Sequence, residues 1–379
     1  MRRCCCPRPV LALLLVTCLL ATLLYCFSSL GGGGAESASG GGGSGGSGAK
    51  PAQSFNQSVA EGLLKSLCGQ YRLGRVSGDL CNRLCYFDNF EVLDFHQSTK
   101  VVVILLLGGQ KLVLKSRRSN FDDFEQPEQQ TTLGAFQRRV VEQTNSRLRL
   151  GWPLAQKHHL IRMLWPTTVR KGDSFTLADR ASLWSLVSQD EYLTFKVLPL
   201  ARVFPKVVGS CGHFYAVEYL VPFKLKSYYT NLKAKILVHL MGTLKLFYEF
   251  LNEPIQWCDV KFENFGLSAE YPKRFMVMDA DFVYTQSRMQ TLLNSTRCRS
   301  DADCAIGDCS ASCNVSAGRC SDRLNDNVDV FCEKLVKQLF GTFWTKSNRY
   351  LSACHEPTEN RTKRLQELRV VWAWSLPDV

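Results

Sequence analysis

Six polar side chains follow one another along this chain in the order that phosphoryl-transfer chemistry uses. Asp259 stands five residues before Asn264 in the run Asp259-VKFE-Asn264. A carboxylate at that place can accept the proton of an attacking hydroxyl, and the amide can hold a divalent cation on the phosphates. Lys261, between them, would balance phosphate charge. Asp279 closes the apolar run Phe275-MVM and offers a second metal-binding carboxylate. Upstream, Lys115 ends a VLK strand and would contact the α- and β-phosphates, while Glu191 would hold it in an ion pair. Read one at a time, a strand-end lysine, a helix carboxylate and a loop Asp or Asn are ordinary surface residues. Their order is the signal.

The elements between them must place these groups on one cleft. Lys100-VVVILLL is β-branched and apolar, Gly108-Gly109 supplies a turn, and Lys111 to Ser116 is the return strand. Phe136 to Arg149 has mixed helical character. Ser182-LWSLVSQDEYLTFKVL reads as one amphipathic helix carrying Glu191. Pro205-KVVGSCGHFYAVEYLV reads as two strands around a Gly-rich turn, and its Glu218 is counted with the cofactor-binding residues. Ile236, Leu240, Leu244, Phe247 and Leu251 keep helical spacing. Trp257-CDVKFENFGL reads as a loop, and Arg274-FMVMDAD as a buried strand ending in carboxylates. Strands, a linking strand, a long helix, a catalytic-type loop and an acidic strand end are the order of a protein kinase. The expected fold is α+β, a divergent two-lobed kinase-like domain rich in disulfides behind an N-terminal transmembrane helix.

The chain has 379 residues, a net charge of +12 and 45% hydrophobic residues. The basic residues are dispersed, so no nucleic-acid partner is expected. Val10 to Phe27 is free of charge, Leu30 extends the run, and Arg2, Arg3 and Arg8 precede it. That length and bias predict a signal anchor over 10–30, with residues 1–9 cytosolic and the bulk lumenal. A cleaved signal peptide is the alternative, with a shorter apolar core. Gly31 to Gly48 is almost wholly Gly, Ser and Ala, part of a flexible linker over 31–54 before the domain at 55–379. Beyond the anchor lie twelve cysteines: Cys68, Cys81, Cys85, Cys211, Cys258, Cys298, Cys304, Cys309, Cys313, Cys320, Cys332 and Cys354. An even number in an oxidising compartment fits up to six disulfides, with pairing open. The cluster at 298–332 lacks the C-x₂-C rhythm of zinc modules, so disulfides are favoured there. They are expected to brace an irregular segment where a kinase has its activation loop. The sequons at Asn56, Asn294, Asn314 and Asn360 lie on the same side of the anchor. Cys4, Cys5 and Cys6 flank its cytosolic end, where palmitoylation is one reading and unmodified thiols the other.

The chain resembles the divergent protein kinase domain family, subfamily one, whose members are cysteine-rich and anchored as type II proteins in the endoplasmic reticulum membrane. The likeness rests on the Cys68/Cys81/Cys85 segment, Ala181–Phe195, GSCGHFYAVEYL, CDVKFENF and DCAIGDC. It implies a kinase fold and a nucleotide site made from Lys115, Glu191, Asp259, Asn264 and Asp279, taking ATP with Mg²⁺ or Mn²⁺. A hydroxyl of a secretory-pathway protein or glycan would be the acceptor. Several departures matter. Phe87 to Lys100 has no glycine, so the usual phosphate lid is missing; Trp257-Cys258 replaces His-Arg; Asp279-Ala280-Asp281 replaces Asp-Phe-Gly. These leave a catalytically inactive scaffold as the alternative, and a D-x-D glycosyltransferase as a third reading. Relatives carry an EF-hand-like insert; here the matching stretch, about 165–180, has Arg170 and Lys171 where oxygen ligands are needed, so no calcium is expected.

Overall fold

A computed structural model describes residues 56–86, 90–128, 130–166, 175–198, 200, 203–224, 233–269, 274–341, 354 and 366. The expected anchor, the linker, Asn360 and residues 167–174 of the insert lie outside them. Among the described residues no helix is long and apolar enough to cross a membrane.

The chain enters with helix α1, Gln57–Arg72, capped by Asn56, whose side chain accepts from the Val59 amide. Helix α2, Cys81–Cys85, is held to it by the Cys68–Cys85 disulfide. Then come strands β1, Phe90–Gln97, β2, Val101–Leu107, and β3, Gln110–Ser116. The expected β2–β3 hairpin turns at Gly108-Gly109, both with positive φ. Strand β1 was not anticipated: it pairs antiparallel with β2 and has a bulge between Val92 and Asp94. Its charged, mostly exposed sequence is that of an edge strand, which lacks a clean apolar alternation.

Two further strands, β4, Val207–Cys211, and β5, Phe214–Glu218, complete a five-stranded antiparallel sheet in the order β1-β2-β3-β5-β4. Its two faces explain where Lys115 points. Val103, Leu105, Leu112, Leu114 and Ala216 pack into one core with Leu64, Leu67, Leu80 and Leu84 from α1 and α2. Side chains alternate along a strand, so Lys115 and Val113 turn to the opposite face, beside Tyr215 and Val217. The Cys81–Cys211 disulfide fixes α2 to β4. Gly78 sits in that seam with φ +155, and a Cβ there would lie 2.1 Å from the Ser210 carbonyl oxygen.

The rest of the domain is mainly helical: α3, Leu133–Leu148; α4, Lys157–Leu164; α5, Leu177–Val187; α6, Asp190–Val197; and α7, Lys233–Glu249. The segment read as one amphipathic helix is therefore two, α5 and α6. The break falls at Gln189, whose buried side chain donates to the Ser185 carbonyl at 3.1 Å and the His213 carbonyl at 2.8 Å and accepts the Arg117 amide at 2.8 Å. Nor is it one-sided, since Ser182, Ser185 and Thr194 are buried with the leucines. The stretch read as a loop, Trp257 to Leu267, begins at the last residue of β7, Ile255–Trp257, and holds a 3₁₀ turn, Phe262–Asn264, and a short strand. That strand, Phe265–Leu267, lies between Val221–Pro222 (β6) and Phe275–Val277. We number Phe265–Leu267 β8 and Phe275–Val277 β9. Trp257, Phe247, Phe265 and Phe331 meet edge to face in the core beneath them.

Beyond β10, Val283–Thr285, and α8, Gln286–Ser295, the cysteine cluster is ordered, not irregular. It forms a sheet of β11, Ala305–Ile306, β12, Cys309–Asn314, and β13, Arg319–Arg323, with disulfides Cys298–Cys313 and Cys304–Cys320. Cys258–Cys309 and Cys332–Cys354 complete six bridges, so all twelve cysteines are paired. Cys258, beside Asp259, is thus held in a disulfide. Asn56, Asn294 and Asn314 are exposed.

Candidate active site

Lys115 and Glu191 meet below the sheet. The Lys115 Nζ donates to Glu191 Oε1 at 2.9 Å and to the Met278 carbonyl at 2.6 Å. Glu191 is delivered by the first turn of α6 and is 3% exposed, so it is not an ordinary surface carboxylate. It also accepts the Tyr215 hydroxyl and, at 3.1 Å, the Ala280 amide. Burial works to raise the Glu191 pKa, but Lys115, Lys100 and the Tyr215 hydroxyl outweigh it and hold the carboxyl down to about 2. Burial lowers the Lys115 pKa, with Glu191 opposing it.

Asp279 and Asp281 leave the end of β9 beside this pair. The strand is fixed on both sides: the Val277 amide donates to the Val203 carbonyl at 2.6 Å and the Met278 amide to the Asn264 carbonyl at 2.8 Å. The second bond couples Asp279 to the Asp259 loop. Within that loop the Asn264 side-chain amide donates to the Asp259 carbonyl at 2.8 Å and to Asp259 Oδ2 at 2.7 Å. Its side-chain oxygen is thus the atom that can ligate a cation. Lys261 pairs with Asp259 at 2.8 Å, so its charge is directed at the carboxylate.

The loop is tied down from outside. Cys258 is bonded to Cys309, the Asp308 amide donates to the Cys258 carbonyl at 2.6 Å, and the Val260 amide donates to Asp308 Oδ2 at 2.7 Å. Lys334 holds the other Asp308 oxygen at 2.8 Å. Gly307 makes the approach feasible: its φ is +58, and a Cβ would lie 2.1 Å from the Cys258 oxygen.

A cleft of about 310 Å³ connects these groups. Ile104, Val113, Val217, Leu220 and Met278 give it apolar walls, and Lys115, Glu218, Asn264 and Asp279 line it with polar groups. Lys115, Asn264 and Asp279 are therefore brought together, with Asp259 one hydrogen bond away. Glu218 reaches the cleft wall, but its carboxylate accepts the Lys206 amide at 2.7 Å.

One residue was missed. Lys100, from the turn between β1 and β2, places its Nζ 2.9 Å from Asp279 Oδ1, 2.9 Å from Asp281 Oδ2 and 3.2 Å from Glu191 Oε1. Burial works to lower its pKa, but the three carboxylates outweigh that and raise it. A lone lysine at a strand boundary carries no spacing signal. Only the absence of glycine from Phe87 to Lys100 marked the turn as unusual.

One oxygen from each of Glu191, Asp279 and Asp281 lies within 4.8 Å of the others. Clustered carboxylate oxygens are the donor set of Mg²⁺ or Mn²⁺, and an ammonium already rests among them, so the residues fit a hard cation. Cys298, Cys304 and Cys313 also cluster, but their sulfurs are spent in disulfides and are not thiolate ligands. The D-x-D glycosyltransferase reading requires a parallel β-α half, whereas every described strand pair is antiparallel.

Residues 183–368 match the family model described as the protein-kinase domain of FAM69. Glu191, Glu218, Asp259, Asn264 and Asp279 fall inside that match, and Lys100 and Lys115 precede it. Among solved structures, that of vaccinia related kinase 3 is similar at 12% identity, covering 75% of this chain and 80% of that one, with a TM-score of 0.31. So low a score supports no argument. On the family match, the chain carries a divergent kinase-like domain.

Proposed function

We propose that this domain binds ATP with Mg²⁺ or Mn²⁺ in the cleft and passes a phosphoryl group to a hydroxyl of a secretory-pathway protein or glycan. The observation that carries the reading is the buried Lys115–Glu191 pair at 2.9 Å, on the same cleft as Asn264 and Asp279. Lys115 orients the nucleotide phosphates. Asp279, with the side-chain oxygen of Asn264, holds the cation, which when bound neutralises charge on the transferring group. Asp259 takes the acceptor proton, and Lys261 holds that carboxylate in place. The proposal extends to lumenal residence as a single-pass type II protein of the endoplasmic reticulum membrane. It also includes membership of subfamily one, nearest its third paralogue. Those parts rest on the charge-free run over 10–30, the six disulfides and the quoted motifs.

A second reading, a nucleotide-binding or inactive scaffold, is favoured by one observation: Lys100 stands among the carboxylates that would hold the cation. Two measurements separate them. Thermal stabilisation of the full chain by ATP with Mn²⁺, lost in Asp279→Ala, is expected for an occupied site. Phosphate transfer abolished in Asp259→Ala is expected for the enzyme. Binding without any transfer leaves the scaffold.

A further inference from the structure

Lys100 is the charged group of the cleft that the kinase scheme leaves without a task. It sits at the end of the tight β1–β2 turn, in which the Ser98 amide donates to the Lys100 carbonyl at 3.1 Å. That turn stands where a kinase carries its glycine-rich lid. An ammonium has three protons and no acceptor, and here it meets three carboxylates: Asp279, Asp281 and Glu191. Its side chain is 15% exposed.

Those carboxylates converge closely enough to share a single cation. A Mg²⁺ or Mn²⁺ ion bound to Asp279 would lie about 2.1 Å from its oxygen, and the ammonium lies 2.9 Å from the same atom. The ammonium repels a divalent ion entering at that oxygen, so the two compete for the same carboxylates. We propose that Lys100 is a tethered counter-cation: it fills the cation position of the resting cleft, and a divalent ion reaches Asp279 only by displacing it. The inference rests on reading this cleft as a metal–nucleotide site.

The surroundings permit the movement. Lys100 also borders a second cavity of about 290 Å³, whose lining includes Thr99, Arg117, Glu191 and Asp281. Residues His96 to Thr99 of the turn are exposed, and β1 is the edge of its sheet. The ammonium therefore has space to enter, on a segment packed from one side. Lys115, on the central strand β3, is held by Glu191 and the Met278 carbonyl. Of the two lysines, one is a fixture and the other is exchangeable.

The test is Mn²⁺ binding to the full chain without nucleotide, read as free Mn²⁺ by electron paramagnetic resonance. Lys100→Met should bind Mn²⁺ at least about tenfold more tightly than wild type, and Lys100→Arg should stay within about threefold of wild type. Equal Mn²⁺ affinity in wild type and Lys100→Met would overturn the proposal, as would weaker binding in the variant. Should Lys100→Met fold poorly, the wild-type chain gives the same answer through amine-reactive footprinting. Saturating Mn²⁺ should raise the labelling of Lys100 several-fold against the exposed Lys111, and unchanged labelling at saturation refutes displacement. If Lys100→Met gains Mn²⁺ affinity while ATP binds to neither protein, the counter-cation stands and the nucleotide reading alone falls.

Discussion

Replacing Glu191 by glutamine isolates the charge that holds the site together. Glutamine with its oxygen in the Oε1 place still accepts the Ala280 amide, and its NH₂ can donate to the Tyr215 hydroxyl, so the shape of the pocket is preserved. Lys100 keeps Asp279 and Asp281. Lys115 fares worse: its side chain is 7% exposed, and neutral acceptors, the glutamine oxygen and the Met278 carbonyl, replace the charge that balanced it. An ammonium left in that position without its counter-charge costs about 3–5 kcal/mol. That is a large share of the ~5–15 kcal/mol that holds a typical domain folded. Urea unfolding of the oxidised protein, followed by tryptophan fluorescence, measures the loss. Adding Lys115→Met to Glu191→Gln removes the stranded charge and should recover most of it, whereas Lys115→Met alone should destabilise. The pH dependence has a definite sign. Glu191 is held at about 2 against an ordinary 4.5, so its contribution is complete above pH 4.5 and is lost as pH falls towards 2. The gap between wild type and Glu191→Gln should close over that window. A loss below about 1 kcal/mol, or a Lys115→Met cost equal in both backgrounds, would refute the buried-pair account.

Two more predictions concern the frame around the site. His213, on the β4–β5 turn, has its Nε2 3.2 Å from the Ser119 carbonyl, while its Nδ1 is buried without a hydrogen-bond partner. Burial lowers its pKa to about 4, against the smaller upward pull of Ser119, Asp123 and Asp122. The fold therefore keeps His213 neutral where the unfolded chain protonates it. Stability should drop by about 3 kcal/mol as pH falls from 6.5 to 4, and urea midpoints for His213→Phe should be flatter over that range. Gly307→Ala should destabilise by more than about 2 kcal/mol, because its Cβ would collide with the Cys258 carbonyl. Gly318→Ala, also at positive φ but in open space, should cost only about 1 kcal/mol. Equal losses would show that contact with the Cys258 loop is unimportant.

The parts of the site that could be read from sequence are those with a spacing of their own. The Val101–Leu107 run and its Gly-Gly turn announced the strands that carry Lys115, and Asp259, Asn264 and Asp279 sat at intervals fixed by one loop and one short strand. Local pattern failed where tertiary contacts set the conformation. Gln189 breaks its helix because partners on β3 and on the β4–β5 turn claim its side chain, and neither is near it in sequence. Strands β12 and β13, CSASCN and RCSDR, lack β-branched and aromatic residues. Cross-links hold them, so strand propensity had nothing to report. Lys100 was hidden for a related reason. Its three carboxylates come from a helix and from the end of β9, far along the chain, and only the folded sheet brings them to it.

Placed side by side, these contacts give the two walls of the cleft different stiffness. The Asp259 wall is fixed by a disulfide at the preceding residue, by Asp308 bonded to both Cys258 and Val260 of the backbone, and by Lys334 behind Asp308. Asn264 then locks Asp259 to its own loop, and the Met278–Asn264 bond passes that order to β9. In ordinary kinases the segment after the acidic strand end is an activation loop, ordered by phosphorylation. Here much of it is the bridged β11–β13 sheet, whose order is set when the disulfides close. The opposite wall, the β1–β2 turn, has no disulfide, lies at a sheet edge, and reaches the site through one lysine side chain. A ligand entering the cleft therefore meets a catalytic-type loop that resists rearrangement and a turn that does not. Adjustment to the ligand must fall on Lys100, the group that the cation has to replace.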